Sequence, residues 1–259
     1  MTSQLQQPQL STDKILRAVT AVSRERWNRH QPAWHLDIGS GTGSLISLLR
    51  QAHPGLRSRA CDYTGDLMRL PDQPVDHVDL NENCTLPYQD QEFDLVTCTE
   101  VIEHLENYRR LIREAYRVTK PGGAVIFTTP NVLNVLSRFR YLTFGFWNLF
   151  GPLPVARDET YSTFGHITPI SYFYLAHAMA EAGFTDIRVD VDKYQRKGAV
   201  MLPLFLGAIK AFGAAARRRE VRKYRTIDAG NAAFVDDLNT VKMLLGRTIV
   251  VSAKRPGPQ

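Results

Sequence analysis

Two hydrophobic periods alternate along the chain. Behind Ser11, a residue suited to capping a helix, the apolar positions Ile15, Leu16, Val19 and Val22 recur at helical spacing and predict a packing helix. Short apolar runs then predict strands at Trp34–Ile38, Ser58–Asp62, His77–Leu80, Phe93–Thr99, Ala124–Thr129, Thr185–Val191 and Arg247–Ala253. Helical patterns fall between them at Leu45–Gln51, Val101–Val118 and Pro169–Ala182, the last closed by Gly183, and Lys120-Pro121-Gly122-Gly123 reads as a turn. Such alternation predicts an α/β fold with a mostly parallel seven-stranded sheet and helices on both faces. Residues 1–10 read as a disordered tail and 11–259 as a single domain. Aromatic-rich residues at about 133–168 and an apolar and basic stretch at 193–242 are insertions beyond what a minimal sheet needs, so specificity is expected there.

Composition narrows the class. With 259 residues and 44% hydrophobic side chains, there is ample material for one large core. Cys61 and Cys98 fall inside predicted buried strands and no C-x-x-C pair occurs, so the cysteines read as small hydrophobes. The first ten residues lack the basic head and apolar run of a signal peptide, and no stretch appears apolar enough to span a bilayer, which points to the cytoplasm. A net charge of +6 is modest and disfavours a nucleic-acid binder, yet Arg217, Arg218, Arg219, Arg222, Lys223 and Arg225 form one local basic cluster.

The segment Leu36-Asp37-Ile38-Gly39-Ser40-Gly41-Thr42-Gly43 joins a strand to a helix through three glycines, allowing a ligand close to the backbone. Its spacing differs from the G-x-G-x-x-G of dinucleotide sites, and the lysine of a phosphate-binding loop is absent. Asp62 closes the second strand about 20 residues later, where a carboxylate can bind ribose hydroxyls. Asp79-Leu80 closes the third. In this order, and with the Pro121-Gly122-Gly123 turn before the fifth strand and Gly183-Phe184 before the sixth, the chain resembles the class I S-adenosylmethionine-dependent methyltransferases, in their quinone-methyltransferase-like branch, over roughly 34–191. The resemblance implies a Rossmann-like fold and S-adenosylmethionine as cofactor. It places Asp37, Gly39, Ser40, Gly41 and Gly43 at the methionine end with Glu100 nearby, Asp62 on the ribose, and Asp79 with Leu80 at the adenine.

Methyl transfer from a sulfonium is an in-line displacement, so the enzyme mainly aligns the acceptor and, for a hydroxyl, removes one proton. Glu100, Glu103 and His104 stand at i, i+3 and i+4, which on a helix is one face. The E-x-x-E-H pattern is similar to the divalent-metal motif of catechol-type and small-RNA O-methyltransferases, which implies Mg²⁺ or Mn²⁺ held by Glu100, Glu103, His104 and His166. Carboxylates also favour a first helical turn without any metal. In that case His104 or His166 is the general base, with Glu100 beside it.

The run 199–213, interrupted by Pro203, Gly207 and Lys210, reads as too short to span a membrane. Followed by the arginines, it suits a helix lying on an anionic membrane surface through 199–225, or a lid packed on the domain. Three functional classes follow. The first is O-methylation of a lipid-linked or cell-envelope saccharide, or another amphiphile, at the inner membrane face. The second is a soluble metal-dependent quinone-like or RNA O-methyltransferase. The third is a cofactor-binding scaffold docking on a membrane-protein partner.

Overall fold

The computed structural model describes residues 12–27, 33–153 and 165–257. The capping position Ser11, the tail 1–10, and Tyr161 and Phe164 of the aromatic insertion lie outside them. Strands β1 (Ala33–Ile38), β2 (Leu56–Asp62), β3 (Asp76–His77), β4 (Phe93–Thr99), β5 (Thr119–Pro130), β6 (Thr185–Val191) and β7 (Thr248–Lys254) form one sheet in the order β3-β2-β1-β4-β5-β7-β6. All pairings are parallel except those of β7, which runs antiparallel between β5 and β6. The helices are α1 (Asp13–Arg26), α2 (Ser44–Ala52), α3 (Tyr108–Val118), α4 (Val135–Phe144), α5 (Tyr172–Glu181), α6 (Arg196–Arg219), α7 (Ala232–Asp237) and α8 (Val241–Leu245).

Because strand side chains alternate faces, a strand covered on both sides must be apolar throughout. Val125, Phe127, Ile249 and Val251 pack with Leu111 and Ile112 of α3 and Leu175 and Met179 of α5. Their neighbours Ala124, Ile126 and Val250 pack on the other face with Ile15 and Val19 of α1 and Leu45 and Leu49 of α2. The helix after β1 therefore lies on one face, and the helix after the adjacent β4 on the other. Connections that part in this way leave a crevice at the carboxyl edge of the sheet.

Four local expectations need correction. The run 101–118 is not one helix: Glu100 takes a left-handed conformation (φ 55°), a 3₁₀ turn covers Ile102–His104, and α3 starts only after Asn107, whose side chain accepts the N–H of Arg110. The Pro-Gly-Gly turn survives inside β5 as a bulge, since Phe93 pairs with Thr119 but Leu95 pairs with Ala124. Strand β3 has two residues, so Asp79 and Leu80 lie beyond it. The apolar run near 199–213 belongs to the 24-residue α6, about 36 Å long at 1.5 Å per residue, and is long and apolar enough by length and composition to cross a membrane.

The insertions pack on each other and on the core, α6 against α4 and α8, and α7 against α5 through Phe234 and Tyr172. Gly198, early in α6, lies where that helix packs on α4 and α8, and an added Cβ would make ordinary contacts with Val135 and Leu245 at 3.5 Å. Further along, Phe139 of α4 meets Phe205 of α6 at 5.9 Å between ring centres. Buried Asn131, just after β5, donates through Nδ2 to the carbonyls of Met243 (2.8 Å) and Gly246 (2.9 Å) and accepts the Leu133 N–H through Oδ1 (2.9 Å). Its own N–H donates to the Arg247 carbonyl at 2.9 Å. One side chain thus ties the end of β5 to the segment entering β7. Asn131→Ala would strand these buried groups and should destabilise the fold by about 2–4 kcal/mol in urea denaturation; a loss under about 1 kcal/mol would show that this tie is dispensable.

Candidate functional site

The glycine loop leaves β1 at the crevice. Gly39 and Gly43 are left-handed (φ 72° and 78°) and sterically closed, since a Cβ would sit 2.2 Å from Val101 Cγ2 at the first and 2.6 Å from Met68 Sδ at the second. Buried Asp62, the last residue of β2, accepts the Gly41 N–H through Oδ2 at 2.8 Å. Ser40 Oγ is buried with no hydrogen-bond partner among the described residues. Such an orphan in a backbone-lined loop is what a polar ligand would satisfy. Asp79 is exposed, and its Oδ1 accepts the N–H groups of Asn81 (2.9 Å) and Glu82 (3.1 Å), so it caps a turn rather than closing a strand. Leu80 beside it packs against the core.

Asp37 lies beneath the loop in a buried polar chain. Thr97 Oγ1 donates to Asp37 Oδ1 at 2.7 Å and lies 2.8 Å from His35 Nε2, while His35 Nδ1 lies 3.2 Å from Ser58 Oγ. With Thr97 donating to Asp37, the imidazole donates through Nε2 and accepts from Ser58. Burial drives the His35 pKa down to about 3, which keeps it neutral. Burial raises Asp37 to about 7, with Asp62 adding to the rise and the Thr97 bond opposing it.

Beyond β4, the left-handed Glu100 is held by one hydroxyl. Its N–H donates to Thr128 Oγ1, and that hydroxyl donates back to Glu100 Oε1, both at 3.0 Å. Burial raises the Glu100 pKa to about 7, against the Thr128 bond and the charge of Arg247. Glu103 is fully buried, and neither carboxyl oxygen has a hydrogen-bond partner among the described residues. Burial, and secondarily Glu100, pushes it well above the carboxylate range, so it carries its proton at neutral pH.

The rings of His104 and His166 meet edge to face at 4.7 Å. Burial lowers His104 to about 4, with His166 contributing, and burial also lowers His166. His166 Nδ1 donates to the Leu149 carbonyl at 2.8 Å, which leaves the Nε2 lone pair available. One ligand-capable atom from each of Glu103, His104 and His166 lies within 4.8 Å of the others. Glu100 is not in this group, because the predicted shared helix face does not exist. Three residues of the expected four-residue set converge, and the fourth, Glu100, is turned onto Thr128.

The chain matches the methyltransferase-domain family over residues 6–189. It is a class I S-adenosylmethionine-dependent methyltransferase. The methyltransferase is 26% identical over 196 residues to a ubiquinone/menaquinone biosynthesis C-methyltransferase of Desulfotalea psychrophila, covering 68% of this chain and 78% of that one. It is 28% identical over 179 residues to a demethylmenaquinone methyltransferase of Halalkalibacterium halodurans, covering 64% and 73%. Its fold matches the crystal structure of an S-adenosylmethionine-dependent methyltransferase from Archaeoglobus fulgidus with a TM-score of 0.55 at 19% identity, covering 92% and 94%.

Sequence reasoning missed a further part of the methyltransferase's carboxyl edge. Asn131, Asn134, Asn148, Leu149, Gln195 and Arg247 line a cleft of about 170 Å³. These residues come from four separate parts of the chain, so no motif announces them. For the buried acids, the sign of the pH effect follows from their raised pKa values. Asp37 stays protonated in the fold up to about 7, so the stability linked to it is complete below its unfolded value and is lost as pH rises through about 7. Asp37→Asn should therefore reduce the fall in stability between pH 4 and 7 seen by chemical denaturation. Parallel pH profiles in the two proteins would show that Asp37 does not carry it.

Proposed function

We propose that this methyltransferase methylates a hydroxyl-bearing amphiphile, with the His104–His166 pair taking the acceptor's proton. The observation that carries the reading is the meeting of two imidazoles with depressed pKa values at the carboxyl edge, beside the glycine loop. Their neutrality at pH 7 makes them proton acceptors, and the Leu149 carbonyl fixes the tautomer of His166. The cofactor fits the residues present: left-handed Gly39 and Gly43, the unpartnered Ser40 hydroxyl, and Asp62 Oδ1 for the ribose. When bound, S-adenosylmethionine would supply a sulfonium methyl open to attack by a deprotonated acceptor, with S-adenosylhomocysteine as the leaving group. Glu100, held by Thr128, stands at the turn between loop and imidazoles. Both a quinol and a lipid-linked envelope saccharide are hydroxyl-bearing amphiphiles; the relatives' names speak for a quinone-type acceptor, and the first of them names carbon as the methylated atom.

The amphiphile reading, and a cytoplasmic enzyme peripheral to the inner membrane face, draw on α6. Val200, Leu204 and Phe212 are each more than three-quarters exposed, at 78%, 79% and 76%. Lys210 turns back to donate to the Asn239 carbonyl, which leaves the outward stripe uncharged. Arg196 and Lys197 bound that stripe at one end and the arginine cluster at the other. This distribution suits apolar insertion with cations at anionic headgroups. Arg217 is paired with Asp236 at 2.7 Å, so Arg218, Arg222 and Arg225 are the better probes. Neutralising those three should weaken binding to phosphatidylglycerol-containing vesicles by roughly 10²-fold at about 1 kcal/mol each, and added salt should act in the same direction. Unchanged vesicle binding would remove the membrane role.

A second reading keeps a metal. Glu103, His104 and His166 could hold one, and a cation would account for a buried carboxyl without partners. With Glu100 turned away, one carboxylate and two imidazoles suit Mn²⁺ better than Mg²⁺. Chelator-resistant turnover would exclude an exchangeable ion.

Calorimetry with S-adenosylhomocysteine should show that Asp62→Ala loses about 1–3 kcal/mol of binding. Absence of binding by the intact protein would overturn the cofactor site. His104→Ala or His166→Ala should lower labelled-methyl transfer into membrane lipid by roughly 10²-fold while sparing cofactor binding. With His104 as base, activity should stay level down to about pH 5 and fall near its pKa of about 4. A fall near 6.5, or full activity in both variants, would remove the pair from the chemistry.

A further inference from the structure

The cleft between α4, α6 and the start of β7 holds an unbalanced cation. Among the described residues Arg247 supplies its only charged lining group, with Asn131, Asn134, Asn148, Gln195 and Leu149 around it. Its Nη1 is sealed from solvent without a hydrogen-bond partner, and its guanidinium donates to no described residue. Glu100 lies near enough to feel its charge through space, but it forms no salt bridge with Arg247 among the described residues. Arg247 is half-buried, and its one sealed nitrogen has no partner while the rest of the guanidinium stays open to the cleft, so the position favours an arriving partner.

The cleft walls sort into scaffold and contact. Asn131 is committed to Met243, Gly246 and Leu133, and Asn134 to Asn131 and Ser137. Asn148 makes no side-chain hydrogen bond to a described residue, and Gln195 makes only a long one, 3.4 Å to the Gly246 carbonyl. Arg247, Asn148 and Gln195 are thus the groups left to bind. A guanidinium fork with two flanking amides, and no carboxylate among the described lining residues, is a donor-rich set complementary to an oxyanion. Leu149 links this cleft to the proposed base, since its carbonyl holds His166. The helix α6 also starts here, at Gln195.

We propose that Arg247, with Asn148 and Gln195, binds a phosphate or carboxylate group carried by the methyl acceptor, setting the distance from that oxyanion to the hydroxyl served by His166. The proposal rests on the carboxyl edge being the transfer site. It deepens that reading by favouring an anionic amphiphile, such as a phosphate-bearing lipid, over an uncharged quinol.

The test uses the full chain with inorganic phosphate as probe, followed by calorimetry and thermal denaturation. Arg247→Gln should weaken phosphate binding at least tenfold and Arg247→Lys by less, whereas neutralising Arg218, Arg222 and Arg225 together should change it less than threefold. S-adenosylhomocysteine affinity should stay within threefold of wild type in Arg247→Gln, which separates failure of this proposal from failure of the cofactor site. Removing an unpaired charge should also shift the thermal midpoint of the ligand-free protein upward. A lowered midpoint would mark Arg247 as structural and overturn the proposal. So would undiminished phosphate binding in Arg247→Gln, loss of phosphate binding only in the cluster variant, or a tenfold loss of S-adenosylhomocysteine affinity in Arg247→Gln, which would assign the guanidinium to the cofactor carboxylate. Vesicles of phosphatidylcholine with one-fifth phosphatidylglycerol give the second arm. If the oxyanion is a lipid headgroup, inorganic phosphate should compete with vesicle binding in wild type but not in Arg247→Gln; if it belongs to a soluble acceptor, phosphate should bind without displacing vesicles.

Discussion

The exchange of two hydrogen bonds between Thr128 and Glu100 sets the course of the chain out of β4. A non-glycine residue in the left-handed region persists only when its surroundings over-determine it. Here one hydroxyl on the neighbouring strand satisfies both the backbone N–H and the carboxyl of the same residue. The turn it secures carries Glu103 inside, presents His104 to His166, and brings Val101 against Gly39. The glycine loop and the imidazole pair are therefore two ends of one constrained segment.

Protonation gives the site a second unity. Asp37, Glu100 and Glu103 all lie along β1 and the exit of β4, and burial raises all three. Raised pKa values limit the negative charge that these acids accumulate at the carboxyl edge beside the glycine loop. The same burial holds both histidines neutral, so acids and bases there rest in the forms that cost least in a dry environment. A cationic cofactor would stabilise ionised carboxylates nearby, which couples its arrival to proton release from this edge.

Much of this was legible in the sequence because short-range physics decides it. Strand alternation, the glycine loop and the acid ending β2 each depend on a few adjacent residues. The E-x-x-E-H motif was legible as chemistry but not as geometry. Spacing alone assumes a helix, and Glu100 leaves that conformation because of Thr128, 28 residues later. Asn107 was a readable start signal for α3 that lay inside an otherwise helical period. Punctuation by Pro203 and Gly207 made α6 look short, whereas its packing on α4 and α8 carries it through both. Arg247 could not be found locally, since its neighbours at 131, 148 and 195 become neighbours only in the folded chain.

The position of β7 has a consequence for how the protein is made. It is the last strand in sequence, yet it fills the slot between β5 and β6, and β6 pairs with no other strand. On a growing chain, β1 through β5 can assemble while β6 waits without a partner. Only insertion of β7 closes the sheet and delivers Arg247 to its cleft. Such long-range pairing is slow to form and exposes strand edges meanwhile. A nascent protein could thus have a formed glycine loop before it has a complete acceptor side, and the competence to hold cofactor would precede the competence to use it.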